Sequence, residues 1–551
     1  MGDHLVFSMR GVRTVSILSP SSVINLPRAG AHAVALTSPV RRDGFPSCIA
    51  RHISMATVAA APVVSASAPG RTRQAPSQRR FGKSGAAWHE RWHVHAQKRA
   101  GRLSARPACA AAAAAQTEAK TEADVVIVGG GLAGLCAAKT LTAAGVDFVL
   151  LEGADAVGGR LRTDVVEGFL LDRGFAIFLT GYPEAQRVLD YAALDLQPFY
   201  AGADVRFEGD FHRVADPLRH PVDAVLSLSP SHPVGSPIDK VLVGVVRLQS
   251  LIGDCYDILS APETTIMDRL KGAGFSDAII GRFFRPFMSG IFFNPALTTS
   301  SRLFNFVMRM LATGQNCLPS KGIEEVARQL ERALPAGAVR CGTKATAVVM
   351  GEGRERVIEI EGGGAVTAKK ALIVATEGPG AAALLGEPLA KAPSANGAPV
   401  GTTCLYFAID GPAPLATPIL YLNGDGPGLI NNCCFPSTVA PSYAPAGKTL
   451  VSVSVIGVPE MTDEELETTV RRELEAWFGK DAKPAVSEWR HLKTYRIPFA
   501  QPNQIAPTDL ARTVDLGEGL YVCGDHRAPA TFDGAMISGR LAAEAAIAKM
   551  K

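Results

Sequence analysis

Long apolar runs and paired cysteines are missing from this sequence of 551 residues. Because no run reaches eighteen apolar residues, a membrane-spanning helix is not expected. The ten cysteines show no C-x-x-C spacing, and the adjacent Cys433 and Cys434 are typical of two buried thiols. We therefore expect neither a disulfide framework nor a metal site, which fits a reducing stroma or cytosol.

Acidic residues are scarce in the first 117 residues, which carry sixteen lysines and arginines against three acids. Subtracting these from the totals of 56 and 52 leaves 40 basic and 49 acidic residues for the rest, so the overall +4 describes neither part. Such a leader, rich in Ser, Ala and Arg, is typical of an organelle transit peptide. A disordered basic tail and a misplaced gene start are the alternatives. Its arginines are scattered rather than clustered with aromatics, so no nucleic-acid partner is expected.

A glycine-rich turn between a predicted strand and a predicted helix is the clearest motif. The letters VVIV, ending at Val128, are typical of a buried parallel strand. The letters GGGLAG follow, in which Gly129, Gly131 and Gly134 fill a G-x-G-x-x-G pattern. The first glycine allows a tight turn, the second lets a pyrophosphate approach the backbone, and the third lets the helix pack closely on the strand. A helix over 132–144 is expected to direct its N-terminus at the phosphates.

An acid follows the second predicted strand at the position where ribose is recognised. The strand runs from Asp147 to Leu151 and leads into Glu152. A carboxylate about 20 residues beyond the glycines can accept hydrogen bonds from an adenosine ribose. Because this residue is an acid rather than a base, a 2′-phosphate and hence NADP are disfavoured. The pattern predicts a dinucleotide site for FAD or NAD.

The residues after this acid distinguish the two cofactors. Gly158, Gly159 and Arg160, with Thr163, resemble the G-G-R-x-x-T signature of the flavin amine oxidase and phytoene desaturase superfamily. The paired glycines are expected to bring backbone against the cofactor, and Arg160 to meet phosphate charge. The resemblance implies an FAD-dependent oxidoreductase, closer to the carotenoid desaturase and isomerase-like branch.

The C-terminal region resembles the last FAD motif of the same superfamily. A strand leads into Gly524 and Asp525, and the letters DGAMISGR open a terminal alanine-rich helix. By that resemblance, Asp525 holds the ribityl or phosphate region of FAD. The N–H groups of Ala535 and Met536 would face the flavin pyrimidine edge. No cysteine lies between Asp525 and Met536, so non-covalent FAD is expected.

Further cofactor contacts are expected outside these motifs. Leu132 and Ala133 lie at the N-terminus of the first predicted helix and are candidate phosphate contacts. The resemblance implies that the backbone near Ala345 pairs with adenine, and that YRIPFAQP at 495–502 lies near the flavin. No catalytic residue is assigned. His526, directly after the Gly-Asp step, is a candidate whose alternative role is structural.

The segment RFFRPFMSGIFFN at 282–294 is unusually aromatic and has no carboxylate. Its phenylalanines could line an apolar tunnel, could form ordinary core, or could touch a membrane face. Because a polyamine would require carboxylates in such a tunnel, an apolar substrate is favoured.

Two local patterns predict elements that carry no chemistry. Thr462 and Glu465 form a capping-box pattern before a helix that Gly479 ends. A strand over 339–349 is expected to return the chain to the cofactor domain.

The residues beyond the leader are too many for one hydrophobic core and predict two domains. The expected fold class is α/β, with a Rossmann-like FAD-binding domain built from discontiguous segments and an inserted α+β substrate domain. The predicted boundaries are leader 1–117, FAD-binding domain 122–178, 335–378 and 515–551, and substrate domain 179–334 (mainly helical) and 395–505.

The expected function is that of an FAD-dependent oxidoreductase in the chloroplast, in the stroma or peripheral to a thylakoid or envelope membrane. Its substrate is expected to be an apolar carotenoid or related isoprenoid. Hydride transfer at flavin N5 would bring about desaturation, reduction or isomerisation. The electron acceptor stays open. An enzyme like amine or protoporphyrinogen oxidases and a non-catalytic flavoprotein are the alternatives.

Overall fold

The computed structural model describes residues 120–351, 354–386, 389 and 398–551. The predicted transit peptide, 1–117, lies outside the described residues. The described strands are β1 (Glu122–Val128), β2 (Phe148–Leu151), β3 (Thr163–Val166), β4 (Phe169–Asp172), β5 (Phe178–Leu179), β6 (Leu196–Pro198), β7 (Gly202–Phe207), β8 (Asp210–Ala215), β9 (Asn316–Pro319), β10 (Val339–Arg340), β11 (Ala345–Met350), β12 (Arg356–Ile360), β13 (Ala365–Val374), β14 (Val400–Ile409), β15 (Leu420–Asn423), β16 (Ile430–Cys434), β17 (Thr449–Ile456), β18 (Arg490–Gln501), β19 (Asp515–Gly517) and β20 (Leu520–Val522).

Helices occupy much of the remaining described chain. They are α1 (Leu132–Ala143), α2 (Pro183–Val188), α3 (Tyr191–Leu194), α4 (Pro221–Leu226), α5 (Pro237–Gln249), α6 (Ile266–Gly272), α7 (Asp277–Ile279), α8 (Arg285–Phe292), α9 (Ser301–Thr313), α10 (Glu325–Arg332), α11 (Gly378–Leu385), α12 (Pro436–Val439), α13 (Asp463–Phe478) and α14 (Phe532–Met550). Shorter helical turns lie at Asp257–Ser260, Ile280–Phe284, Pro441–Tyr443 and Val486–Glu488.

The largest sheet is built around β1. Its order is β10-β2-β1-β13-β12-β11, with β20 beside β13 and β19 beside β20. β1 runs parallel to β2 and β13, and Val126 lies opposite Val149 and Leu372. Val126 and its neighbours in β1 are buried on both faces, which explains the uninterrupted apolar run in the sequence. The expected α/β fold class is confirmed.

Two glycines let the helices lie close to this sheet and to each other. An added Cβ at Gly134 in α1 would lie 1.9 Å from the carbonyl oxygen of Gly129. An added Cβ at Gly539 in α14 would lie 2.0 Å from the carbonyl oxygen of Ala133. Both distances are far inside van der Waals contact. The turn after β1 and the α1/α14 pair therefore depend on glycine at these positions.

The second sheet has seven strands in the order β18-β14-β17-β16-β15-β7-β8. The hairpin of β7 and β8 lies almost 200 residues before β14 in the chain, and β7 pairs in parallel with β15. One face is covered by α13, whose Leu466, Val470 and Leu474 pack against apolar residues of the strands. This sheet thus unites the two predicted substrate-domain segments, while the domain boundaries themselves stay a prediction.

The predicted strand over 339–349 is wrong in one respect. The structure divides it into β10 and β11, which pair with different partners. Gly342 has a φ of +65°, a left-handed conformation that favours glycine, and it breaks the strand between them.

Helices α5, α6, α8 and α9, which we call the helical lobe, contribute to one apolar cluster. The cluster is rich in aromatic and methionine side chains. Phe284 and Phe292 of the aromatic segment are buried in or beside this cluster at 1% and 3% exposure. Phe283 and Phe287 stack on each other with ring centroids 5.4 Å apart. Much of the segment 282–294 therefore serves as core.

The helix α13 begins with the capping box that its sequence predicts. The Thr462 hydroxyl accepts from the Glu465 N–H at 3.2 Å, and the Glu465 carboxylate accepts from the Thr462 N–H at 2.9 Å. We expect Thr462→Ala to lower the free energy of unfolding by about 1 kcal/mol, because one helix-start N–H loses its acceptor. Urea unfolding measures the change. Thr468→Ala, the same substitution at an exposed position within α13, is the control, and an equal loss in both variants would contradict the capping role.

Candidate cofactor and active site

The glycine-rich turn joins β1 to α1 at the carboxyl edge of the largest sheet. Gly129 has a φ of +109°, and an added Cβ would lie 2.8 Å from the carbonyl oxygen of Ala375. Gly131 differs, since its φ is −74° and an added Cβ meets no atom of the described chain within 4 Å. The described chain therefore does not itself require glycine at 131. Glycine there fits a phosphate group that approaches the backbone closely.

Glu152 lies directly after β2, where the ribose acid is expected. Its carboxylate accepts from the Gly130 N–H at 2.6 Å and from the Ala154 N–H at 2.8 Å. These bonds hold the side chain against the first glycine turn. A carboxylate has capacity for further donors, so the position suits a ribose hydroxyl. The assignment of Glu152 to the ribose stays a prediction.

The second glycine loop lies against the first. The Gly158 N–H donates to the carbonyl oxygen of Gly130 at 2.8 Å. An added Cβ at Gly159 would lie 3.3 Å from the Cα of Gly131. Two motifs separated by a strand and a helix are thus brought into contact at one edge of the sheet.

Arg160 links this loop to the C-terminal motif. Its guanidinium forms an ion pair with Asp525 at 2.8 Å and donates to the carbonyl oxygen of Ala500 at 2.7 Å. The guanidinium also lies over the Phe499 ring, 5.5 Å from its centroid. Although burial lowers the pKa of Arg160, the Asp525 charge raises it above its usual value. The segment 495–502, expected near the flavin, thus meets both motifs here.

Asp525 retains capacity for a ligand. The side chain is 7% exposed, and Oδ2 pairs with Arg160. Oδ1 is buried and has no hydrogen-bond partner among the described residues. A buried carboxylate oxygen without a donor is costly, so a hydroxyl of a bound group would stabilise it. This atom and the Gly131 position both fit the expected FAD.

The helix α14 carries the N–H groups of Ala535 and Met536, whose contact with the flavin stays a prediction. The helix begins at Phe532, and the Thr531 hydroxyl accepts from the Gly534 N–H at 3.0 Å. The Ala535 N–H donates to the Thr531 carbonyl oxygen at 3.0 Å, so it is already used within the helix. Met536 lies one residue deeper and is fully buried. The first-turn N–H groups that a helix leaves unpaired belong to earlier residues than the ones predicted.

The other residues predicted to contact FAD are Leu132, Ala133 and Ala345. Leu132 and Ala133 form the first turn of α1 and are 5% and 4% exposed. Ala345 begins β11 opposite Ile360. Two residues before it, the Thr343 N–H donates to the carbonyl oxygen of Glu152 at 2.8 Å. Ala345 is thereby held close to the predicted ribose acid.

His526 is buried beside the Gly-Asp turn and is 0% exposed. Burial lowers its pKa to about 4, so the imidazole is neutral near pH 7. Neither ring nitrogen has a hydrogen-bond partner among the described residues. A neutral imidazole in this position does not supply a cationic proton donor. The role of His526, catalytic or structural, stays open.

Removal of the Asp525 carboxylate tests its role in binding. We expect Asp525→Ala to weaken FAD binding by about tenfold or more, since a hydrogen bond to a charged group contributes about 1.5 to 3 kcal/mol. Titration of the FAD-depleted chain with FAD, followed by flavin fluorescence, measures the affinity. Asp155→Ala is the control, because that carboxylate also pairs with an arginine of the loop but its side chain is 80% exposed. Equal affinities of wild type and Asp525→Ala would contradict the assignment.

The fold and the site together define a class of protein. Two glycine loops, an acid after the second strand and a Gly-Asp turn meet at the carboxyl ends of the parallel strands β1, β2 and β20. That is the arrangement of a dinucleotide-binding α/β enzyme.

Comparisons with known proteins identify the family. A family model described as flavin containing amine oxidoreductase matches residues 132–547. The chain belongs to this family and is an FAD-dependent oxidoreductase. The FAD cofactor expected from the sequence is thereby confirmed.

Curated relatives match over short stretches. The chain is 53% identical over 51 residues to putrescine oxidase of Kocuria rosea, which covers 9% of this chain and 11% of that protein. It is 25% identical over 181 residues to the chloroplastic/chromoplastic 15-cis-phytoene desaturase of Narcissus pseudonarcissus, which covers 31% of this chain and 32% of that protein. The matches thus span about a tenth to a third of the length of these relatives.

Solved structures share the fold over nearly their whole length. A structure described as a protoporphyrinogen oxidase from Exiguobacterium sp. 255-15 has a TM-score of 0.59 and 19% identity, and covers 78% of this chain and 99% of that one. Wild-type putrescine oxidase bound to putrescine has a TM-score of 0.54 and 17% identity, with coverage of 78% and 99%. At these identities the likeness concerns the fold alone.

Proposed function

We propose that this flavoenzyme acts on an apolar substrate, a carotenoid or related isoprenoid, in the plastid. The reaction would be desaturation, reduction or isomerisation. The partial similarity to a phytoene desaturase supports the substrate class. The observation that carries the proposal is the chemistry of the segment beside the cofactor site.

That segment is α8 with its flanking residues. The Gln501 side chain, at the end of β18, donates to the carbonyl oxygen of Ile291 at 2.9 Å. One residue before Gln501, the Ala500 carbonyl accepts from Arg160. The aromatic segment 282–294 is therefore joined to the predicted flavin site through two consecutive residues of one strand.

The aromatic segment offers no negative charge to a cationic amine. It contains no carboxylate, and its two arginines are engaged elsewhere. Arg282 donates to the carbonyl oxygen of Pro233 and lies 4.0 Å from the centroid of the Phe207 ring. Arg285 donates to the carbonyl oxygen of Pro295. The half-buried phenylalanines of the segment, Phe283, Phe287 and Phe293, would meet a hydrocarbon, which places no uncompensated charge there.

The residues of the chain would bind the cofactor, orient the substrate and exclude water from the site. Gly129 and Gly131 with the α1 N-terminus would hold the pyrophosphate, and Glu152 the ribose. Asp525 would accept a hydroxyl of the ribityl region. Bound FAD would supply hydride transfer to or from a substrate carbon.

Anaerobic reduction of the flavin tests the substrate class. Flavin-loaded full chain is mixed with phytoene in detergent micelles, with putrescine or with a protoporphyrinogen, and the flavin absorbance is followed. We expect phytoene to change the flavin absorbance spectrum or to be converted to a product that extraction and chromatography detect. Putrescine is expected to do neither. Reduction by putrescine or the porphyrinogen would instead make the chain an amine or protoporphyrinogen oxidase-like enzyme. No conversion of any substrate would favour a non-catalytic flavoprotein.

The plastid location has its own test. The leader composition and the chloroplastic relative support it. Residues 1–117 fused to a fluorescent protein are expected to direct it into chloroplasts in leaf cells. Fluorescence that stays in the cytosol or enters mitochondria would contradict the location without affecting the substrate class.

A further inference from the structure

The helices α4 and α5 and the turns beside them expose an unusual amount of apolar surface. Of the seventeen large apolar side chains exposed in the described chain, eleven lie between 218 and 252. We call them the α4–α5 surface: Leu218, Val222, Val225, Leu226, Leu228, Ile238, Val241, Val245, Leu248, Leu251 and Ile252. Val222 and Ile238 are each 71% exposed. Isolated exposed residues are ordinary, but so many exposed apolar side chains within one stretch of the chain indicate a binding surface.

The α5 helix is apolar on two opposite faces. Its inner face, with Leu242 and Val246, packs into the helical lobe. Its outer face presents Ile238, Val241, Val245 and Leu248 at the spacing of one helical stripe. A helix that is apolar on both faces is normally covered on both. Within the described residues, only the inner face is covered.

The charged groups of this region bond inward rather than to solvent. Arg219 donates to the carbonyl oxygen of Leu311, Asp223 accepts from the Tyr200 hydroxyl, and Lys240 donates to the carbonyl oxygen of Gly235 at 2.7 Å. Asp239 accepts from Ser236 and Ser276, and Arg247 pairs with Asp216. Every charged side chain between 217 and 252 is thus bonded within the protein. The α4–α5 surface therefore presents no charged side chain that lacks a partner within the protein.

We propose that the α4–α5 surface docks on a lipid bilayer and inserts its apolar side chains at the boundary of headgroups and acyl chains. An apolar face whose charged groups are paired internally matches hydrocarbon, whereas a protein–protein interface normally carries a polar rim with hydrogen bonds. Among the described residues, no helix is long and apolar enough to cross a membrane. The docking does not depend on the proposed substrate.

Co-sedimentation with neutral vesicles tests this docking. Flavin-loaded full chain is mixed with phosphatidylcholine vesicles, which do not attract the basic leader by charge. The double variant Val222→Asp/Ile238→Asp is expected to lower the vesicle partition coefficient by more than about tenfold, because two carboxylates must leave water. Val165→Asp/Met350→Asp is the matched control at residues 56% and 55% exposed elsewhere, and it is expected to bind like wild type.

The salt dependence adds a second readout. Wild-type binding is expected to stay within about twofold between about 50 and 500 mM NaCl, since no surface charge drives it. Because both double variants change exposed positions, their circular dichroism and flavin absorbance should match wild type. If Val222→Asp/Ile238→Asp does not fold, Ile238→Asp alone serves, with a smaller expected loss.

Three results would overturn the proposal. Wild-type protein that stays in the supernatant when the vesicles sediment would exclude lipid docking. Equal binding of wild type and the α4–α5 variants would place the lipid contact elsewhere. A wild-type dimer that Val222→Asp/Ile238→Asp converts to a monomer, without vesicle binding, would make the surface a contact between two copies of the chain.

Discussion

Gly131→Ala is expected to weaken FAD binding about thirtyfold, or about 2 kcal/mol, while the chain keeps its fold. The backbone at 131 has a φ of −74°, which alanine adopts without strain, and the added Cβ meets no described atom within 4 Å. The new methyl group would therefore disturb only a group that approaches the loop from outside the chain. FAD titration of the depleted protein measures the affinity, and thermal unfolding without FAD measures the fold.

Gly134→Ala is the contrasting substitution, three residues further along. Its methyl group would lie 1.9 Å from the Gly129 carbonyl oxygen, so α1 would have to move off β1. We expect a loss of about 3 kcal/mol or more in unfolding free energy, with or without FAD. If Gly131→Ala bound FAD like wild type, or lost stability like Gly134→Ala, the assignment of the loop to the pyrophosphate would be wrong.

Asp172→Ala is expected to lower the free energy of unfolding by about 3 to 5 kcal/mol. The carboxylate is 3% exposed and accepts from the Thr163 hydroxyl, the Ile323 N–H and the Tyr443 hydroxyl at 2.6, 3.0 and 2.9 Å. Three buried donors from three parts of the chain would lose their acceptor together. Urea unfolding measures the loss, with Asp410→Ala as the control at an exposed ion pair. A similar stability of the two variants would contradict the role of Asp172 as a junction.

The pH dependence of stability checks the same group. Burial is the main cause that raises the pKa of Asp172 from 3.8 to about 6. The folded chain thus binds this proton more tightly than the unfolded chain, and the stabilisation is complete below about pH 4 and lost as the pH rises through 6. Relative to wild type, Asp172→Asn should therefore gain about 3 kcal/mol in unfolding free energy between pH 4 and pH 7. A difference that does not change with pH would contradict the raised pKa.

Local chemistry predicted much of the fold. The β-branched run of β1, the glycine turn after it and the Thr462 capping box are decided by neighbouring residues, and all three are present as expected. The pairing of β7 with β15 was not predicted, because nothing near Gly202 indicates a partner more than 200 residues away. The break at Gly342 was missed because a single glycine within a predicted strand does not reveal its φ.

The site was predicted in its parts rather than in its contacts. Spacing and resemblance identified Gly131, Arg160 and Asp525, but the ion pair between the last two is a product of the folded chain. The terminal helix was predicted to open with the segment that starts at Asp533, and it begins one residue earlier, at Phe532. The α4–α5 surface was missed because periodicity alone does not show which apolar face of a helix is covered.

The central claim is that the two glycine loops and the Gly-Asp turn hold FAD without a covalent bond. Release of the flavin by acid is its most direct test. Cys523 is fully buried, and burial raises the pKa of its thiol, so a reactive thiolate is not expected there. Purified full chain is precipitated with acid, and flavin is measured in supernatant and pellet. We expect about one FAD per chain in the supernatant. Flavin that stays in the pellet, or folded protein that neither contains nor takes up FAD, would contradict the claim.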